Sequence, residues 1–102
     1  MGGPMQAQGH LQLFLRTQVW QQDPQTAIDA PRWRVINGRQ VAIEAAFKEP
    51  VLDDLKSRGH ELQREAPDSN FGFGGAQFVQ RLVDGGYIAG SDPRKDGLAI
   101  GF

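Results

Sequence analysis

The run Trp33-Arg34-Val35-Ile36-Asn37-Gly38-Arg39-Gln40-Val41-Ala42-Ile43-Glu44-Ala45 decides the fold class. Trp33, Val35 and Ile36 precede an Asn-Gly pair, and Val41, Ile43 and Ala45 alternate after it, the short-range signature of a β-hairpin. Before this run the period is helical. Ala7, Leu11, Phe14, Leu15 and Val19 recur at helical spacing between Gln6 and Gln22, so this stretch is expected to be one helix. Pro4 suits its first turn, because the missing N–H would otherwise be an orphan donor. Asp23-Pro24 reads as an N-cap followed by Pro at the first helical position, and Pro31 stops that short helix near Ala30.

After the hairpin, Glu49-Pro50 opens a third helix, with Val51, Leu52 and Leu55 expected inward and Gly59 at the stop. Asp53 and Asp54 lie early in it and Lys56 and Arg58 late, the order that a helix dipole favours. A strand is expected from Leu62 to Ala66, then a loop at Ala66-Pro67-Asp68-Ser69-Asn70. Three further strands follow: Ala76 to Val83, Tyr87 to Ala89, and Leu98 to the terminal Phe102. The expected class is α+β, an antiparallel sheet with helices packed on one face, and residues 1–102 read as a single segment with no internal boundary. With only three helices, one side or edge of such a sheet needs cover from another chain or from more of the same one.

Composition narrows the function. At 102 residues and 11.2 kDa the chain is one domain or less. A net charge of −1 gives no general field toward nucleic acid or an anionic membrane, and no apolar run approaches a membrane span. Zero cysteines exclude disulfides, thiolate catalysis and cysteine-ligated metals. Met1-Gly2-Gly3-Pro4-Met5-Gln6 has no basic cluster leading into an apolar stretch, so no signal peptide is expected and the compartment stays unassigned.

Few constellations carry chemistry. His10 and His60 are the only histidines and have no ligand-spaced partner, so no metal is expected. Asp53 and Asp54 are adjacent and point about 100° apart on a helix, which suits dipole partners better than a catalytic pair. Asp92 and Asp96 bracket Pro93-Arg94-Lys95, where a turn with local Asp-to-backbone bonds outweighs an ion site. Phe71-Gly72-Phe73-Gly74-Gly75 lacks the Gly-Lys-Ser/Thr ending of a phosphate loop, so close packing or positive φ accounts for its glycines better. Gly2-Gly3 differs in kind: consecutive N–H groups at a helix N-terminus can stabilise an oxyanion, although a flexible terminus has the same composition.

Met1-Gly2-Gly3-Pro4-Met5-Gln6-Ala7-Gln8-Gly9-His10 and Asp23-Pro24-Gln25-Thr26-Ala27-Ile28-Asp29-Ala30-Pro31-Arg32 resemble the C-terminal part of gamma-glutamyltranspeptidases. Arg58-Gly59-His60, Phe73-Gly74-Gly75-Ala76-Gln77 and Gly90-Ser91-Asp92-Pro93-Arg94-Lys95-Asp96-Gly97 through Phe102 follow in that family's order. The resemblance implies a fragment of an αββα N-terminal-nucleophile hydrolase sandwich. Such a proenzyme cuts itself into large and small subunits and exposes a threonine that attacks a gamma-glutamyl carbonyl, with no cofactor. The family's oxyanion pair falls on Gly2 and Gly3. Met1 before these glycines and Pro4-Met5 after them depart from the commoner Ser-Pro-Gly-Gly-Ser form, and related members act on other amides, including cephalosporin side chains.

The only threonines, Thr17 and Thr26, are both expected on helices, so the nucleophile is expected outside this chain. The implied partners are the rest of the small subunit, the large subunit and a gamma-glutamyl or related amide, and the chain alone is expected to be inactive. The alternative is a free-standing interaction module or gene remnant that homo-oligomerises to cover its open edges.

Overall fold

A computed structural model describes residues 1–66 and 72–102, so the expected loop at Pro67-Asp68-Ser69-Asn70, and Phe71, lie outside the described residues. The elements run α1 (Met5–Phe14), a π-helical turn (Leu15–Val19), α2 (Pro24–Asp29), β1 (Trp33–Asn37), β2 (Gln40–Ile43), α3 (Glu49–Ser57), β3 (Glu61–Arg64), β4 (Gln77–Arg81) and β5 (Tyr87–Ser91). Where the sequence offers no internal boundary, the chain forms two compact units, Met1–Ala30 with Gly74–Phe102, and Pro31–Phe73.

In the first unit, α1 buries Met5, Gly9, Gln12 and Leu13, whereas Leu11 and Phe14, two of the apolar residues that mark the helix in sequence, are exposed. The expected single helix to Gln22 is corrected, because the backbone widens to π geometry at Leu15 and helical structure ends at Val19. Buried Thr17 turns its hydroxyl back onto the Leu13 carbonyl at 2.9 Å, and the Trp20 N–H reaches the Leu15 carbonyl five residues back at 3.0 Å. Gln21, at φ +57°, then turns the chain toward α2.

Asp23 caps α2 as its sequence indicates, accepting from the Gln25 and Thr26 N–H groups at 3.0 and 3.1 Å. Leu13, Ala27, Ile28 and Ala76 form the core of this unit, with Met1 and Phe78 packed against it. A Cβ on Gly90 would meet the Gln25 nitrogen and the Ile28 Cδ1 at 3.0 Å, so a glycine in β5 lets α2 lie directly on the strand. β4 and β5 pair antiparallel from Gln77↔Ser91 to Arg81↔Tyr87. The strand expected to reach Val83 ends at Arg81, and the one expected from Leu98 to Phe102 does not form. Leu98 is 76% exposed and, among the described residues, no strand pairs with that segment.

In the second unit β1 and β2 form the expected hairpin, Trp33↔Ile43 through Asn37↔Gln40, turning on Gly38-Arg39. β3 pairs with β2 in parallel, Gln40↔Glu61 to Ile43↔Arg64, which corrects the all-antiparallel expectation. α3 occupies the β2–β3 connection, and a helical crossover returns the chain to the end from which β2 started. Val41, Ile43 and Leu52 make the core, flanked by Trp33, Phe47 and Leu62. Val51, expected inward, is 46% exposed because it stands one helical position from buried Leu52. The class is α+β, with one mixed sheet and one antiparallel pair.

Candidate active site

The residues leading into α1 form a tight backbone turn. Gly2 and Gly3 both occupy the left-handed region, at φ +90° and +52°, which only glycine enters freely. Pro4 follows as the helix N-cap residue at φ −62°, and the Gly3 carbonyl accepts the Gln6 N–H at 3.1 Å. Among the described residues no side chain caps α1, and no acidic residue lies in its first turn to offset its positive dipole end. Gly2 and Gly3 are exposed, and among the described residues a Cβ on either would touch nothing within 4 Å. Backbone conformation, rather than lack of space, therefore calls for glycine at both positions.

Met1 lies close to two glycines, Gly9 and Gly74. A Cβ on Gly9 would lie 2.5 Å from its sulfur, and one on Gly74 would lie 2.8 Å from its carbonyl oxygen. Gly74 sits at φ +68°, so the packing and positive-φ reading of the Phe73-Gly74-Gly75 glycines holds at this residue. Ala76 leads into strand β4, as its sequence indicates, and not into the helix that a phosphate loop requires. A groove of about 630 Å³ lies beside Met1, lined by His10, Phe14, Thr17 and Phe78 among others, but neither Gly2 nor Gly3 borders it.

The Asp92 loop is a structural knot. The buried Asp92 carboxylate accepts the Ala76 N–H at 2.8 Å, the Arg94 N–H at 2.9 Å and an Arg94 guanidinium N–H at 3.1 Å. The same guanidinium donates to the Ile28 and Ala30 carbonyls at 2.9 and 3.1 Å, closing the C-terminal end of α2. Asp96 is exposed. The local-turn reading of this loop therefore holds for Asp92, while the reach of Arg94 to α2 has no signal in the sequence. Arg32 is a second residue that sequence reasoning missed: it is buried, and its guanidinium donates to the Phe73 carbonyl at 3.2 Å.

The remaining titratable candidates are surface groups. Asp54 pairs with Arg58 at 2.8 Å and Asp53 with Lys56 at 3.9 Å on α3, and the Asp54 carboxylate raises the Arg58 guanidinium pKa above its ordinary value. His10 and His60 are both exposed, and no cluster of three potential metal ligands occurs among the described residues. The Thr17 hydroxyl donates back along its own helix to the Leu13 carbonyl, and the Thr26 hydroxyl donates to the Asp23 carboxylate.

The sequence profile described as Gamma-glutamyltranspeptidase matches residues 1–102. The chain belongs to the gamma-glutamyltranspeptidase family. Within this family it is 31% identical, over 99% of its length, to the glutathione hydrolase-like YwrD proenzyme of Bacillus subtilis, of which it spans 20%. The crystal structure of cephalosporin acylase from Bacillus halodurans superposes with a TM-score of 0.87 at 40% identity, covering 96% of this chain and 18% of that one. Gamma-glutamyltranspeptidase from Pseudomonas nitroreducens shares the fold at a TM-score of 0.76 and 18% identity, over 92% of this chain and 48% of that one. The chain thus spans about a fifth of the length of the curated relative and of the acylase. In these gamma-glutamyltranspeptidase relatives the matching region is one part of a longer protein.

Proposed function

We propose that this chain is the C-terminal segment of the small subunit of a self-cleaving amide acyltransferase or hydrolase, acting on gamma-glutamyl amides. In this reading a threonine from elsewhere in the proenzyme adds to the gamma-glutamyl carbonyl, and the carbonyl electrons move onto oxygen. The N–H groups of Gly2 and Gly3 donate to that oxyanion, the intermediate collapses with loss of the protonated amine, and water or a second amine releases the acyl group. The observation that carries the reading is the pair of left-handed glycines ahead of an uncapped helix start, at the place where the family resemblance puts its oxyanion donors.

Exposed apolar side chains support a chain that is covered by the rest of its proenzyme. Val79 and Tyr87 on the β4–β5 pair are 68% and 69% exposed. The test compares the complete protein with the purified 102-residue chain on a gamma-glutamyl anilide. Turnover by the complete protein alone is expected, and turnover by the isolated chain would contradict the reading.

A further inference from the structure

We propose that Gly74, together with Gly9, latches Met1 so that the Gly2 N–H is held on its target, which makes Gly74 a positioning residue for acyl transfer. The proposal rests on the oxyanion reading above. The Met1 carbonyl and the Gly2 N–H belong to one planar peptide unit, so displacing the oxygen displaces the donor. A Cβ on Gly74 would sit 2.8 Å from that oxygen and 3.2 Å from the Met1 Cα, both main-chain atoms. A Cβ on Gly9 would meet side-chain atoms instead, the Met1 sulfur at 2.5 Å and its Cγ at 3.0 Å.

The latch has a fixed base. Two residues beyond Gly74, the Ala76 N–H is bound at 2.8 Å by the Asp92 carboxylate, whose side chain is 0% exposed. Gly74 is therefore backed by a buried ion pair and cannot yield freely to Met1. Misplacement of a catalytic group by about 1 Å can cost about 10²-fold in rate, so a main-chain clash here should register in kcat.

The experiment uses the complete protein, with self-cleavage followed on a gel and kcat and KM measured on a gamma-glutamyl anilide. Gly74→Ala is expected to lower kcat about tenfold or more with KM changed less than about twofold, and adding Met1→Ala is expected not to rescue it. Gly9→Ala is expected to cost less, and Gly9→Ala with Met1→Ala to recover most of that loss, because the clash is with the thioether side chain. A folded, cleaved Gly74→Ala protein with unchanged kcat overturns the proposal. If Gly74→Ala does not fold, the Gly9 pair decides: a kcat loss without rescue overturns the latch, and rescue supports it. Gly2→Pro separates the two readings. Full activity in Gly2→Pro removes the oxyanion assignment and the latch with it, whereas a silent Gly2→Pro beside a fully active Gly74→Ala removes the latch alone.

Discussion

The Asp92 carboxylate receives the Ala76 amide at 2.8 Å, and this bond joins the loop after β5 to the segment that enters β4. The carboxylate is buried and also binds Arg94, so its removal would strand a desolvated amide and a largely buried guanidinium. Asp92→Ala is expected to destabilise the protein by about 3–5 kcal/mol. Asp92→Asn keeps an acceptor and is expected to cost less, about 1–3 kcal/mol. Denaturant unfolding of the complete protein measures both, and equal midpoints for wild type and Asp92→Ala would refute the structural role.

The core of the second unit turns on Leu52, which packs with Val41 and Ile43. Leu52→Ala is expected to lose about 2–5 kcal/mol. Its neighbour Val51 is exposed, and Val51→Ala should stay within about 0.5 kcal/mol of wild type. Comparable losses in the two variants would mean that α3 does not pack through Leu52.

Asp23 makes α2 sensitive to acid. Bonds from the Thr26 hydroxyl, and then from the Thr26 and Gln25 amides, hold its pKa below the ordinary carboxylate value. A depressed folded pKa means that the cap's contribution is complete above the unfolded value of about 3.9 and is lost as pH falls through the folded one. Asp23→Ala is therefore expected to lower the melting temperature at neutral pH, with the gap to wild type narrowing below about pH 4. A gap independent of pH would count against the charged cap.

Gly3 tests the backbone conformation apart from crowding. Its φ of +52° lies in the left-handed region and its Cβ site is open, so asparagine should be accepted better than alanine, and alanine better than valine. The ranking should appear in kcat of the complete protein. Equal activity across the series would mean that the positive φ is not needed for turnover.

Local chemistry made much of this fold legible. The Asp23-Pro24 cap, the hairpin before and after Asn37-Gly38, and the Glu49 helix start with its Gly59 stop each depend on a few adjacent residues, and each formed close to its expected place. Long-range features were not legible. The parallel partnership of β2 and β3 depends on where α3 returns the chain, and the change to π geometry after Phe14, where Thr17 bonds back to the Leu13 carbonyl, breaks the helical period that the apolar residues suggest. At the candidate site Gly2-Gly3 stood out as a dipeptide. The grip of Gly9 and Gly74 on Met1 joins positions far apart in sequence, and glycine identity alone does not show what approaches it. Arg94 illustrates the same limit, since its turn bond to Asp92 is local while its bonds to the end of α2 are not.

The most direct measurement is the acylation rate of the complete protein carrying Gly2→Pro, which deletes one proposed oxyanion donor and cannot adopt the native φ of +90°. With self-cleavage and folding verified, acylation by a gamma-glutamyl anilide is expected to fall by about 10²–10³. An unchanged acylation rate would contradict the assignment of Gly2 and Gly3 to the oxyanion hole.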